Sequence, residues 1–221
     1  MDNRRGDRPA GRNPSAAEPG PGSWDRRAFI LAAGVATGSL SALWLGTGAA
    51  HAAATPALPL HTVVVDSRFA DGHAFAAEAA RAGQRVAWID RDVTNLWYDD
   101  LDLRWRDDKA AIAGLTEYGA FFCLERLAMD RGLRTVFKGE HRLLDSGAAS
   151  HLIAGPEAVV TSRSLAGLTG RGWAAQTAHL AMAAHGAGPI AASRQATTRA
   201  GAGQPALLIS WVLAPRPERQ I

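Results

Sequence analysis

Four side chains from three stretches of this sequence could carry out acid–base chemistry: Asp66, Asp100, Glu140 and His141. Asp66 ends a short apolar run, and open α/β sheets place their ligands at the carboxyl ends of parallel strands. Glu140 and His141 put a carboxylate beside an imidazole, a pairing that supports proton transfer near neutral pH. Because adjacent residues of a strand point to opposite faces, only one of this pair can face a given pocket. The alternative for both is a surface hairpin with ordinary charges.

A group of three carboxylates, Asp99, Asp100 and Asp102, could hold Ca²⁺ or Mg²⁺, since these cations prefer oxygen ligands. The Asp-x-Asp-x-Asp-Gly pattern of a calcium-binding EF-hand loop is missing, however. The sequence therefore favours carboxylates that cap local structure, pair with Arg104 or Arg106, or face solvent. We predict no metal site.

Aromatic side chains flank these carboxylates at Trp97, Tyr98 and Trp105. Aromatic residues are enriched in binding surfaces because they bury a large area around few rotatable bonds. These three could line a pocket for a small apolar ligand, pack beneath the segment as a local core, or bind a partner subunit. Tyr118 and Glu125 follow on the next predicted helix, where Glu125 either borders the core or pairs with a nearby arginine. All five are candidate ligand- or partner-binding residues.

Several kinds of site are excluded by what the sequence lacks. The single cysteine, Cys123, rules out an intramolecular disulfide and paired-cysteine zinc or redox sites, and we expect it to be buried. None of the seven histidines forms an HxxxH or HExxH pair, which argues against zinc. No GxGxxG, GxxxxGK[ST] or GxSxG pattern occurs. We therefore expect no nicotinamide cofactor, phosphate-binding loop or hydrolase nucleophile elbow, and the sequence identifies no cofactor.

The charge distribution argues against nucleic acid as a partner. The formal net charge is +3, but residues 1–52 alone account for +2. Residues 53–221 carry 18 basic and 17 acidic side chains. A body this close to neutral lacks the basic footprint of a nucleic-acid-binding protein.

The elements that must position these residues begin with a βαβ unit. Residues 61–66 and 85–90 are predicted strands, and residues 67–83 between them are a predicted helix that ends at Gly83. A strand–helix–strand unit of this length implies parallel pairing with a right-handed crossover.

The longest predicted helix runs from about residue 110 to 131. Its predicted buried face consists of residues that recur at helical spacing: Ile112, Leu115, Gly119, Phe122, Cys123 and Leu127. The remaining predicted elements are a strand over 133–137, a hairpin that returns through 150–154, helices over 157–166 and 173–185, a flexible loop over 186–204 and a central strand over 205–213.

Together these elements predict one α/β domain over residues 61–215. We expect a three-layer, Rossmann-like arrangement with a mixed, mostly parallel sheet of about five strands. A proline-containing linker over 53–60 precedes the domain, and an exposed tail over 216–221 follows it.

The first 52 residues have the composition of an export leader. Residues 1–24 are rich in Arg, Pro, Gly and Ser without a hydrophobic period, which predicts a disordered basic leader. Residues 25–52 contain the adjacent pair Arg26 and Arg27, Phe29, an apolar run and a small-x-small pattern of the kind that signal peptidase cleaves.

This order of features resembles a bacterial twin-arginine (Tat) signal, whose pattern is Ser/Thr-Arg-Arg-x-Phe-Leu-Lys. The chain departs from that pattern at Asp25, Ile30 and Leu31. The resemblance implies that the protein folds before export, that the Tat translocase and signal peptidase act on it, and that a mature periplasmic chain starts near Ala53. An uncleaved membrane anchor over residues 28–50 is the alternative, which the glycines in that run disfavour.

The body of the chain resembles exported bacterial proteins of unknown function that carry such signals, through the segments LWYDDLD, GLTEYGAFFCLERLA, KGEHR and SWVLAPR. That resemblance implies no chemistry. We expect a periplasmic accessory or ligand-binding protein, exported alone or together with a partner enzyme. The alternative is a small periplasmic enzyme that uses Asp66, Asp100, Glu140 and His141 without a nicotinamide cofactor. A membrane-tethered structural protein is a third class.

Overall fold

The computed structural model describes residues 60–199 and 205–215. The predicted leader and signal segment, with Arg26, Arg27 and Phe29, lie outside the described residues. So do the tail and the predicted linker, apart from Leu60, which is the first residue of a strand. None of the described helices has the length and apolar character needed to cross a membrane.

The described chain alternates strands and helices up to its centre and then turns mostly to strands. In order, the elements are β1 Leu60–Asp66, α1 Ala70–Arg81, β2 Val86–Ile89, α2 Thr94–Leu96, a π-helical turn Trp97–Leu101, α3 Asp102–Asp107, β3 Ala111–Glu117, α4 Tyr118–Asp130, β4 Leu133–Leu143, β5 Ala148–Gly155, α5 Glu157–Ser162, α6 Gly172–Ala184, β6 Ala192–Arg199 and β7 Ala206–Pro215.

The strands form a single seven-stranded sheet in the order β2-β1-β3-β7-β4-β5-β6. Only the pairings of β1 with β2 and of β1 with β3 are parallel, and the four remaining pairings are antiparallel. The expected five-stranded, mostly parallel, Rossmann-like sheet is therefore wrong. The physical reason is that the apolar C-terminal strand β7 inserts antiparallel between β3 and β4, and β4, β5 and β6 then form an antiparallel meander.

Four local predictions are confirmed. The first βαβ unit pairs β1 and β2 in parallel, with Val64 opposite Ala87. The helix between them ends before Gly83, which has a φ of 77°, a conformation that glycine adopts without steric cost. The hairpin of β4 and β5 forms with His141 opposite His151, and β7 is a central strand.

The long helix predicted over residues 110–131 is wrong in its first half. Residues 111–116 are all buried and form β3, which lies between β1 and β7. Gly114 allows close packing there, since a Cβ at this position would lie 2.5 Å from the ring of Trp211. The helix α4 starts only at Tyr118, so its register differs from the predicted one. Phe122 and Cys123 are consequently exposed rather than buried.

The loop predicted over residues 186–204 is also wrong, because β6 occupies Ala192–Arg199. Its sequence is polar because most of its side chains face solvent and it pairs with a neighbour along only one edge. A strand of this kind lacks the alternation of apolar residues on which a strand prediction depends.

Helices cover the two faces of the sheet unequally. One face, here the α6 face, carries α1, α5 and α6 around a core that includes the buried Trp173. The other, the α4 face, carries α3 and α4 around a second core with the buried Trp105 and Trp211. On the α4 face the side chains of β5 are half-buried or exposed, with Leu152 47 % exposed, and those of β6 are exposed.

Candidate functional site

The structure places the four predicted acid–base residues at separate positions. Asp66 ends β1, whereas Asp100 lies beside His61 near the start of the same strand. Glu140 and His141 are neighbours on β4 and point to opposite faces of the sheet, as strand geometry requires. No two of these four residues share a hydrogen bond or an ion pair.

Asp66 belongs to an ion-pair network at the carboxyl edge of the parallel strands. Its buried carboxylate accepts bonds from Arg68 Nε at 2.9 Å and Arg68 Nη2 at 2.5 Å. The same Arg68 Nη2 donates to Glu117 Oε2 at 2.6 Å, and Arg68 Nε lies 3.5 Å from Asp90. The hydrogen bond to Asp66 raises the pKa of Arg68 above its ordinary value. This network ties the ends of β1 and β3 together and leaves Asp66 charge-paired.

Asp100 is held between two basic side chains. His61 Nε2 donates to Asp100 Oδ1 at 2.8 Å, and Arg85 Nη1 forms an ion pair with Asp100 Oδ2 at 2.8 Å. Burial alone would raise the pKa of Asp100, but the hydrogen bond and charge of His61, with the charge of Arg85, lower it overall. Asp100 therefore stays ionised and fastens the π-helical turn to β1 and to the chain before β2.

His141 lies in a buried chain of hydrogen bonds on the α6 face. Its Nδ1 is 2.8 Å from Nδ1 of His151, and its Nε2 is 2.8 Å from Oγ of Ser210. Nε2 of His151 is in turn 2.8 Å from Oγ1 of Thr198. A neutral imidazole carries one N–H, so all three bonds must run in the same direction, either from Ser210 to Thr198 or the reverse. We call these four residues the histidine chain.

The histidine chain is built to remain neutral. Burial lowers the pKa of His151 to about 4, and burial together with the charge of His151 lowers the pKa of His141 well below its ordinary value. Trp173 packs against both rings, with centroid distances of 4.6 and 5.0 Å. His141 and Ser210 are 0 % exposed, so a substrate has no access to them in this conformation. The arrangement joins β4, β5, β6 and β7 through satisfied polar groups.

Glu140 and the two predicted tryptophans also have structural roles. Glu140 forms an ion pair with Lys138 at 3.1 Å on the α4 face. Trp105 is buried and donates from Nε1 to the carbonyl oxygen of Ala110 at 2.9 Å. Trp97 packs edge-on against Trp105 at 6.0 Å. Of the alternatives for these two tryptophans, packing as a local core is the one that the structure favours.

The other aromatic candidates lie on the surface. Tyr98 is 66 % exposed, and Tyr118 is 47 % exposed and stacks on Phe122 at 6.1 Å. Glu125 accepts a hydrogen bond from Thr135 at 2.7 Å and another from Arg126 at 3.0 Å. Glu125 therefore pairs with a nearby arginine, which was one of its two predicted alternatives.

A cleft lies beside β2, which is an edge strand of the sheet. Its volume is about 500 Å³, within the range of small-molecule sites. Its walls come from β2 and the residue before it, from the turn that follows, from α2 and from the π-helical turn. The lining residues are Arg85, Trp88, Ile89, Asp90, Asp92, Asn95, Leu96, Asp99 and Asp100. We call this the β2 cleft.

Acidic and aromatic groups dominate the β2 cleft. Trp88 is 49 % exposed and lies 4.8 Å from the ring of His73. The side chain of Asp90 is 80 % exposed. Among the described residues no basic side chain forms an ion pair with Asp92 or Asp99. Hydrogen bonds from Thr94 lower the pKa of Asp92, which therefore stays ionised. The cleft thus offers the carboxylates of Asp92 and Asp99, which have no ion-pair partner among the described residues, beside an exposed indole.

A strained residue fixes the rim of the cleft. Arg91 has a φ of 65°, the left-handed region that is unfavourable for residues other than glycine. This conformation allows the amide of Asp92 to bond the carbonyl oxygen of Asp90 at 2.6 Å, so both carboxylates are held at the same turn. Strain of this kind is concentrated at functional sites in proteins.

Sequence reasoning identified only part of this cleft. It predicted a strand that ends at Asp90 and singled out Asp99 and Asp100, but it missed Trp88. The described residues contain no group of three His, Cys, Asp or Glu side chains placed to hold a metal ion. Comparison with protein-family models, with curated proteins and with solved structures found no match to this chain.

Proposed function

We propose that this protein is an exported ligand-binding protein whose β2 cleft takes a small organic cation. The observation that carries the proposal is the pairing of an exposed indole, Trp88, with the carboxylates of Asp90, Asp92 and Asp99 in a cleft of about 500 Å³. A charged ammonium or guanidinium group fits both features. The carboxylates attract it, and the negative face of an indole ring stabilises it further.

The charges that line the cleft argue against an anionic ligand. The basic group of the wall, Arg85, is already paired with Asp100 at 2.8 Å. The carboxylates at the other end of the cleft would repel an anion. Like charges brought together in a protein interface cost several kcal/mol of binding free energy. Half-buried Leu96 supplies apolar surface for the body of the ligand, with a small contribution from Ile89, which is 5 % exposed.

An acid–base enzyme built on Asp66, Asp100, Glu140 and His141 gains no support, because these residues do not converge on one cleft. Only Asp100 lines the β2 cleft, and it is paired with His61 and Arg85. Binding rather than catalysis is therefore the function that we propose.

Export to the periplasm is part of this proposal and is supported by the sequence pattern of Arg26, Arg27 and Phe29. The Tat translocase and signal peptidase are the partners that this pattern implies. Sequencing the N-terminus of the protein recovered from the periplasm tests it. We expect a start near Ala53, and an intact N-terminal segment in a membrane fraction would contradict it.

Ligand titrations test the binding proposal directly. Choline, agmatine and spermidine are titrated against the full chain while tryptophan fluorescence is followed, and 3,3-dimethylbutan-1-ol serves as the neutral isostere of choline. We expect at least one of the cations to bind and the neutral isostere not to bind. Binding of none of the three, or equal binding of choline and its isostere, would contradict selection of a cation.

Two substitutions locate the binding site. Trp88→Ala is expected to weaken cation binding by about 2- to 30-fold, the range that a cation–π contact supplies. Tyr118→Ala is the matched control, since Tyr118 is exposed to nearly the same degree, 47 % against 49 %, and does not line the cleft. Asp99→Asn should also weaken binding, whereas Asp145→Asn, on the turn between β4 and β5, should leave it unchanged. Equal loss in Trp88→Ala and Tyr118→Ala would place the site elsewhere.

A further inference from the structure

The sheet has a second open edge at β6, on the opposite side from β2. β6 pairs with β5 over its whole length, from Ala148 opposite Arg199 to Gly155 opposite Ala192. Among the described residues, the outer side of β6 is bridged only at its end, where Gly170 donates its amide to the carbonyl oxygen of Arg199 at 2.8 Å. Residues 192–198 therefore present a row of outward backbone groups that no other described residue pairs, the feature to which an additional strand binds.

The charges around this edge have one sign. Arg194 and Arg199 lie on β6, and Arg163 lies close to Arg194 because both line the same small cavity. All three are exposed, and none forms an ion pair with any described residue. The sequence contains no Asp or Glu between Glu157 and Glu218. This edge is therefore positively charged, although residues 53–221 as a whole are nearly neutral.

The sign of the charge decides which kind of strand can pair here. A second copy that paired β6 with β6 would bring the same arginines together, which is unfavourable. The N-terminal 52 residues of the chain itself carry six Arg against four carboxylates, so they do not complement the edge either. Charged side chains on an edge strand also keep unrelated strands away. Because the charged side chains at this edge are all arginines, they disfavour neutral and basic strands and favour an acidic one.

We propose that β6 is the docking edge for an extended acidic segment of a partner protein, which adds to the sheet as an eighth strand. Backbone hydrogen bonds to residues 192–198 hold the segment in register. Its carboxylates pair with Arg194 and Arg163 on the α6 face and with Arg199 on the other. The segment's remaining side chains lie beside Gln195 and Thr197, which are exposed and polar. This docking edge is separate from the β2 cleft and does not depend on the ligand proposed there.

The test uses a fluorescein-labelled ten-residue peptide in which Glu alternates with Val, and fluorescence polarisation with the full chain. We expect binding that weakens as the salt concentration rises, and no binding by the same peptide with Lys in place of Glu. The double variant Arg194→Glu/Arg199→Glu should lower the affinity by about tenfold or more, because two attractive charges become repulsive. Arg104→Glu is the control, since Arg104 is also exposed but lies on α3.

Two N-methylated forms of the peptide distinguish strand addition from simple charge attraction. The amides of a strand point alternately to its two sides, so N-methylation of one alternate set blocks pairing with β6 and methylation of the other set does not. We expect one form to lose binding and the other to keep it. Equal binding by both forms would overturn strand addition.

Two other results would also overturn the proposal. One is the absence of any binding by the acidic peptide. The other is concentration-dependent self-association of the chain, measured by sedimentation, that Arg194→Glu/Arg199→Glu abolishes, because it would make a second copy the occupant of the edge. Protection of the β6 amides from hydrogen exchange when the peptide is added would support the proposal independently.

Discussion

Lowering the pH is expected to weaken the fold through the histidine chain. His141 and His151 are buried and neutral, and burial holds the pKa of each below its ordinary value. The unfolded chain therefore takes up protons first as the pH falls. The stability that these neutral imidazoles contribute is complete above the unfolded pKa of 6.5 and is lost as the pH falls toward the folded values.

The size of the effect follows from the pKa of His151. A value of 6.5 in the unfolded chain and about 4 in the folded protein corresponds to a loss of about 2 kcal/mol between about pH 7 and pH 5. His141 adds a loss of the same sign, and so does His185, whose pKa is also lowered by burial. Asp71 acts in the opposite direction, since burial raises its pKa. The lowered pKa of Asp100 matters only below this pH range.

Urea denaturation followed by tryptophan fluorescence measures this loss at the two pH values. We expect the free energy of unfolding of the wild-type protein to fall by at least about 2 kcal/mol. The triple variant His141→Leu/His151→Leu/Ser210→Ala removes the titrating pair together with the hydroxyl that bonds it, and it should show a much weaker dependence on pH. A wild-type loss below about 0.5 kcal/mol, or an equal loss in both proteins, would refute the role assigned to the neutral pair.

A pair of glycine substitutions tests local packing, and a labelling experiment tests the register of α4. Gly139→Ala should lower the free energy of unfolding by about 1–3 kcal/mol in thermal or urea denaturation, since its Cβ would lie 2.4 Å from Ser210 Oγ and 2.8 Å from His141 Nε2. At Gly119 no atom outside the adjacent helix backbone lies within 4 Å of an added Cβ. Gly119→Ala should therefore raise the free energy of unfolding by about 0.5–1 kcal/mol. Loss of stability in both glycine variants would contradict the packing described. Cys123 is exposed, so a thiol reagent should label it fully in the native protein without denaturant, and labelling only after unfolding would contradict the register of α4.

The sequence predicted the fold correctly where a local sequence pattern fits only one kind of secondary structure. The run Val63–Val65 is continuously apolar because β1 is buried on both faces, and Gly83 marks the end of α1. β7 was predicted as central for the same reason as β1. The pairing of β4 with β5 followed from a short turn between two strand-like runs.

The errors came from interactions between distant segments. Residues 111–117 consist largely of small apolar residues that suit either a helix or a buried strand, and their position beside Trp211 on β7 decides the outcome. The polar sequence of β6 becomes a strand because β5 supplies a hydrogen-bonding partner along its length. The strand order, and with it the mostly antiparallel sheet, depends on where β7 inserts, which no local pattern contains.

Of the residues that line the β2 cleft, the sequence identified only carboxylates. Asp99 was identified from the acidic run, and Asp90 was predicted only as the end of a strand, but they meet because the chain turns sharply at Arg91. His141 was chosen as a proton-transfer residue because a histidine beside a glutamate suggests that chemistry. Its partners His151, Ser210 and Thr198 lie up to 69 residues away in the sequence. Only the folded sheet shows that the imidazole is enclosed and neutral.

Native mass spectrometry of the protein purified from its own periplasm tests the central proposal most directly, since it reports the chain and any bound ligand together. We predict a mature chain that starts near Ala53 and carries a small, positively charged organic molecule. The Trp88→Ala variant should lose that molecule and the Tyr118→Ala variant should retain it. A chain without a ligand, or a ligand that Trp88→Ala retains as fully as the wild type, would contradict the proposal that the β2 cleft binds an organic cation.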